Sequence, residues 1–157
     1  GGDSAGANLA VSVTLSCKQH GFPQPAFQLL IYPVTDYTMS FASVTEFATG
    51  YFLTKDNMCW FREHFLENAE RATDPQVSPL FADLAGLPPA FVLTAGFDPL
   101  RDEGYAFVQR LQKFYVPVEH VCYTDMIHAF ITFAGGIPAG MAALTQLGEV
   151  LRQALSD

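Results

Sequence analysis

Ser4, Asp98 and His128 are residue types that together can transfer an acyl group, and they follow one another along the chain in that order. Ser4 stands in Gly2-Asp3-Ser4-Ala5-Gly6, a Gly-x-Ser-x-Gly pattern suited to a sharp strand-to-helix turn that holds a hydroxyl clear of the backbone. A serine hydroxyl is a weak nucleophile at neutral pH, so it needs an imidazole to take its proton and a carboxylate to orient that imidazole. Asp98, in Gly96-Phe97-Asp98-Pro99-Leu100-Arg101-Asp102, and His128, in Asp125-Met126-Ile127-His128-Ala129-Phe130, supply both. Each also has a plainer reading. Glycine-serine turns are common, and an aspartate before proline is a turn residue. His20, His64 and His120 show that the chain carries other histidines with no evident partner. His64 falls on a helical stretch and His120 alternates with apolar neighbours in a strand, so both are read as structural.

For the three to converge, each must lie in the serine turn or just past the carboxyl end of a parallel strand. Short apolar runs bounded by prolines predict strands at residues 27–32, 90–95 and 118–123. The first two are almost continuously apolar, as strands covered on both faces are. Asp98 and His128 then follow the second and third of them. Leu9, Val13 and Cys17, with Ala10 and Val11 alongside, predict a buried helix face from residue 5 to about 19, stopped by Gly21. Tyr105, Val108, Leu111 and Gln112 predict a helix over 101–115, with Asp102 as its cap. A last helix starts at Pro138 and carries Met141, Leu144, Leu147, Leu151 and Leu155 along one stripe. The order is doubly wound α/β, with about three parallel strands and flanking helices. No strand is expected ahead of the serine turn, because only Gly1 precedes the pattern, and this reads as a chain that begins inside its own fold.

Residues 36–80 break the alternation. They hold Phe41, Phe47, Tyr51, Phe52, Met58, Trp60, Phe61 and Phe65, with Thr54 placed to cap a helix over 55–66. An aromatic insertion after a strand suits a lid or pocket wall, with Phe47, Tyr51, Phe52 and Trp60 as lining residues; ordinary core is the plainer role for any one of them.

At 157 residues, half of them apolar, the chain has material for one domain core. Its net charge of -8, with 8 Lys and Arg and no basic cluster, excludes a nucleic-acid backbone as an expected partner. Cys17, Cys59 and Cys122 lack metal-ligand spacing and read as reduced core hydrophobes. No metal centre is expected. No apolar run approaches the roughly 20 residues of a membrane span, and the expected location is cytoplasmic.

Motifs spread along the chain resemble the bacterial hormone-sensitive-lipase-like carboxylesterases of the α/β-hydrolase fold. They are Gly2 to Ala10, Leu30-Ile31-Tyr32-Pro33-Val34-Thr35-Asp36, Gly50-Tyr51-Phe52-Leu53-Thr54, Ser78-Pro79-Leu80, Gly86-Leu87-Pro88-Pro89-Ala90, Asp98 to Gly104 and Met126-Ile127-His128. The resemblance implies Ser4 as nucleophile, His128 as base and then acid, Asp98 as the orienting carboxylate and the Ala5 N–H as an oxyanion donor. It implies short to medium acyl esters as substrates, no cofactor, and a homodimer formed through residues 118–123 and 138–155. A catalytically silent ligand-binding protein and an amidase or peptidase are the alternatives on this fold.

Departures are Ala7 and Ala129 where the family has glycine, Asp125 where it often has glycine, and Tyr115 in place of a small turn residue. A carboxylate at Asp125 near His128 would raise the imidazole pKa. The family's His-Gly-Gly-Gly-type loop does not occur in these residues; Gly135-Gly136 reads as a loop. Residues 1–157 are therefore expected to be part of a catalytic domain, poorly folded and close to inactive alone.

Overall fold

Alternation of buried side chains along two central strands sets the architecture. In the computed structural model, which describes residues 1–156, Leu29, Phe91 and Leu93 face one side of a parallel sheet and Leu30 and Val92 the other. The strands are β1 (Gly2–Asp3), β2 (Gln28–Ile31), β3 (Ala90–Phe97) and β4 (Val118–Ile127), in spatial order β1-β2-β3-β4 and parallel throughout. Helices α1 (Ala5–His20) and α4 (Arg101–Lys113) cover one face, where Ala7, Val11, Phe107 and Leu111 meet Leu30 and Val92. The other face packs Phe130 and the Ala143 and Leu147 side of α5 (Pro138–Ala154) against Leu29, Phe91 and Leu93. Each fully buried large side chain of this kind contributes about 1.5–3 kcal/mol.

Among the described residues four strands replace the expected three, because Gly2–Asp3 pairs with Leu30 and Ile31. Two residues carry no periodicity, so this strand has no sequence signal of its own. β4 also runs on past Tyr123, through polar Thr124 and Asp125, to Ile127.

The buried face of α1 is not the one the apolar spacing selects. Ala7, Asn8, Val11 and Thr14 are buried, while Leu9 and Val13 are 54% and 58% exposed. Small side chains let the helix approach the sheet, and apolarity alone does not distinguish the two faces. The same correction applies to α5: Gly140, Ala143 and Leu147 are buried, whereas Met141, Leu144, Leu151 and Leu155 are exposed. On α4 Tyr105 is exposed, and Asp102 lies within the first turn instead of capping it. The Asp102 carboxylate accepts from Ser43 N at 3.0 Å and from Arg101 Nε at 2.8 Å, while Asp98 accepts from Leu100 N at 2.8 Å. The cysteines are free, and each is only partly buried instead of sunk in the core.

Between β2 and β3 lie the short helix α2 (Ala42–Glu46) and α3 (Lys55–Phe65). Thr54 caps α3 in a reciprocal box with Asn57. Tyr37, Leu66 and Val77 form a small core of their own beneath α3. Among the described residues, no helix is long and apolar enough to cross a membrane.

Candidate active site

Ser4 sits at the step from β1 to α1 with φ 52 and ψ -120, outside the favoured backbone regions of a non-glycine residue. Its N–H donates to Ile31 O at 2.9 Å, and its carbonyl accepts from Ala7 N, Asn8 N and Val34 N at 3.1–3.3 Å. These bonds hold the strained turn from both sides. A Cβ on Gly2 would lie 2.6 Å from Gly6 O, so the first glycine of the pattern is required by the backbone returning beneath it. Gly6 has no such constraint, its nearest neighbour being Asp3 Oδ1 at 3.8 Å.

The turn aims the hydroxyl at His128, which follows β4 directly: Nε2 lies 3.0 Å from Ser4 Oγ. On the other side of the ring, Nδ1 lies 2.6 Å from Asp98 Oδ2. Asp98 is fully buried and His128 is 5% exposed. A carboxylate only accepts, so Nδ1 carries the ring proton and Nε2 presents its lone pair to the Ser4 O–H. Asp98 is itself fixed by Leu100 N–H on Oδ1. The Ala5 N–H is the first of the helix-terminal amides that no helical carbonyl accepts, and Ala5 lies on the wall of the cavity that opens over Ser4.

Tyr32 is a site neighbour that the sequence placed before Pro33 at a strand end and within the Leu30 to Asp36 motif, without a role. Its buried ring lies 4.7 Å from the His128 ring and 6.3 Å from that of Phe130, on a backbone with φ 34. Burial, and after it the charges of Asp3 and Asp98, push its hydroxyl far above the ordinary phenol range. The Ala129 departure also has a visible cost, because φ there is 62, in the left-handed region that glycine enters freely and alanine at about 1 kcal/mol. Tyr115 adopts φ 57 on the surface. Asp125 is exposed and is bonded to Thr124 Oγ1 at 3.4 Å, not to His128.

The cavity over Ser4 and His128 has a volume of about 640 Å³ and is walled chiefly by Tyr37, Phe52, Met58, Phe61 and Phe65. Of the aromatics predicted to line it, Phe52 does. Phe47 is buried instead against Tyr51 and Phe97, under the Arg101 guanidinium at 4.8 Å. Tyr51 stacks on Phe97, and Trp60 packs on Phe61 and His64 at the surface. Tyr37, which stacks on Phe65 at 5.1 Å, has no distinguishing sequence signal. Burial, with the nearby Glu103, pushes its hydroxyl up to about 12.

Glu103, fully buried on α4, has its carboxyl pushed well above the ordinary range by burial, against two backbone N–H bonds and with help from the charges of Asp36 and Asp98. A folded-state pKa raised above the unfolded value gives stability that is present below the unfolded carboxylate pKa and lost as pH climbs from there through the raised value. Glu103→Gln, which has no proton to lose, is expected to flatten that loss. Urea midpoints of the two proteins should then separate in favour of the variant as pH rises, and parallel pH curves would contradict a neutral Glu103.

A serine on a strained strand-to-helix turn, with an aspartate-held imidazole delivered from the carboxyl ends of neighbouring parallel strands, is the arrangement of an α/β-hydrolase. The sequence pattern of the alpha/beta hydrolase fold family matches residues 1–132, and the chain belongs to that family. It is similar to the carboxylic ester hydrolase LipN of Mycobacterium tuberculosis, 38% identical over 99% of this chain and 43% of LipN. It is likewise similar to the carboxylesterase NlhH of the same organism, 35% identical over 98% of this chain and 50% of NlhH. Among solved structures, a thermostable carboxylesterase from a metagenomic library superposes with a TM-score of 0.94 at 39% identity, covering 98% of this chain and 53% of that one. The hyperthermophilic esterase of Pyrobaculum calidifontis gives 0.93 at 37%, covering 97% and 51%. The chain thus spans about half the length of the relatives it matches.

Proposed function

We propose that the protein built on this chain hydrolyses carboxylic esters through an acyl-serine intermediate. The observation that carries the reading is the single imidazole of His128 held at 3.0 Å from Ser4 Oγ and 2.6 Å from Asp98 Oδ2. His128 Nε2 takes the Ser4 proton as Oγ attacks the ester carbonyl; the charge that develops on the imidazolium is balanced by Asp98. The carbonyl oxygen becomes an oxyanion, for which the Ala5 N–H at the α1 terminus is the donor from this chain. His128 then gives its proton to the leaving alcohol. In the second half it activates a water that attacks the acyl-serine, so that the acid leaves and Ser4 recovers its proton.

The cavity wall supports an apolar acyl group, since Phe52, Met58, Phe61 and Phe65 offer it apolar surface beside the nucleophile; a short to medium length is what the resemblance to carboxylesterases implies. Full-length protein incubated with a fluorophosphonate probe is expected to carry one covalent adduct, located by peptide mass spectrometry on Ser4, and to lose hydrolysis of p-nitrophenyl esters in proportion. An unlabelled, inactive protein would point instead to a ligand-binding role and overturn the proposal.

A further inference from the structure

The motif Asp98 to Gly104 contributes more to the site than its first aspartate. Glu103, in the first turn of α4 and five residues after Asp98, has no exposed surface, and its Oε1 accepts from Thr35 N at 2.6 Å and from Asp36 N at 3.1 Å. The contact is reciprocal, because Thr35 Oγ1 donates to the Glu103 carbonyl at 3.2 Å. Its other oxygen, Oε2, is buried without a hydrogen-bond partner among the described residues. A carboxyl group placed so expensively, off the path of the proton between Ser4 and His128, calls for a role of its own.

The backbone it grips supplies that role. Val34, Asp36 and Tyr37 are on the cavity wall, and Tyr37 carries the stack that leads to Phe65 of α3. Neighbouring bonds tie other parts of this loop: Asn8 Nδ2 donates to Val34 O, Leu80 N to Thr35 O, and Tyr37 N to Ser78 Oγ. The two amides between them, Thr35 and Asp36, rest on Glu103 Oε1. Asp36 in turn folds the next turn around its own carboxylate, accepting from Thr38 N, Thr38 Oγ1 and Ser40 Oγ. The helix that starts just after Asp98 therefore also fixes the wall against which a bound acyl chain would lie.

We propose, on the ester-hydrolase reading above, that Glu103 is a positioning residue: through Oε1 it sets the loop of residues 34–37 as a cavity wall and thereby the fit of the acyl group. What this needs is an acceptor atom at the right reach, not a charge. Burial, which favours the neutral acid here, agrees with that requirement. Glutamine keeps the reach and the acceptor. Aspartate keeps the acid but withdraws the oxygen by one methylene from both amides.

The test compares Glu103→Gln and Glu103→Asp with wild type in the full-length protein, using p-nitrophenyl acetate and hexanoate. Glu103→Gln is expected to keep KM for both esters within about two-fold, while Glu103→Asp raises KM for hexanoate about ten-fold, more than for acetate, with kcat changed by less than about three-fold. The reverse order, with aspartate tolerated and glutamine impaired, would assign Glu103 a charge-based effect on Asp98 and overturn the proposal. So would equal behaviour of both variants, or a fall in kcat alone. Fluorophosphonate labelling of Ser4 in the wild type separates this outcome from failure of the ester-hydrolase reading, since an unlabelled wild type faults the reaction and a labelled one with unchanged KM in both variants faults only Glu103.

Discussion

Asp98→Asn in the full-length protein is expected to lower kcat about ten-thousand-fold while leaving KM and the fold nearly unchanged. The variant side chain keeps the shape of the carboxylate but has one acceptor and one donor end. Leu100 N–H, at 2.8 Å from Oδ1, requires that end to accept, so the amide nitrogen is turned toward His128 Nδ1. A donor there forces Nδ1 to accept, and the ring proton moves to Nε2. The imidazole then meets Ser4 Oγ with a proton already in place and cannot take another at neutral pH. Steady-state kinetics on a p-nitrophenyl ester, with circular dichroism as the fold control, measures this. A loss below about ten-fold would show that Asp98 serves only as a turn residue, the plainer reading its place before Pro99 allowed.

The three residues of the site show what a sequence carries and what it does not. That Ser4, Asp98 and His128 meet follows from elements legible as apolar runs: β2 and β3 begin after prolines, and residues past the ends of parallel strands share one sheet edge. Thr54 marks the start of α3 because a cap is a local property of the backbone. Burial is not local. Leu9 and Val13 suit a core helix face as well as Ala7 and Val11 do, and the choice is made by how close α1 must come to β2. The pocket divides in the same way. Phe47 and Phe52 are alike as sequence, yet one lies under Arg101 and the other on the cavity wall, which only the path of the insertion decides. Glu103 was hidden for a further reason. A glutamate in the first turn of a helix is an ordinary surface residue, and its burial here rests on amides 67 and 68 positions away.

Gly96 joins fold to site most tightly, and Gly96→Ala is expected to destabilise the protein by about 3 kcal/mol or more and to abolish hydrolysis in whatever remains folded. The β3–β4 register is regular to Ala95 opposite Tyr123 and then shifts, so that Phe97 pairs with Ile127. At the shift β4 crosses directly over Gly96, and an added Cβ would lie inside van der Waals contact with the Thr124 backbone carbonyl. Backbone has no rotamer by which to yield, so the strands must part or the bulge must be lost. Either response reaches the site at once, because Asp98 and His128 emerge from these strand ends and meet at 2.6 Å. The Arg101 guanidinium, which donates to Gly96 O at 3.3 Å and to Glu46 at 2.9 Å, would be displaced along with them. Chemical denaturation gives the stability change, and fluorophosphonate labelling rate gives the state of Ser4. Labelling is expected to fall more steeply than folded fraction. A variant with wild-type midpoint and labelling rate would mean that β4 can pass Gly96 at a greater distance without moving His128, and the bulge would then be incidental to the geometry of the site.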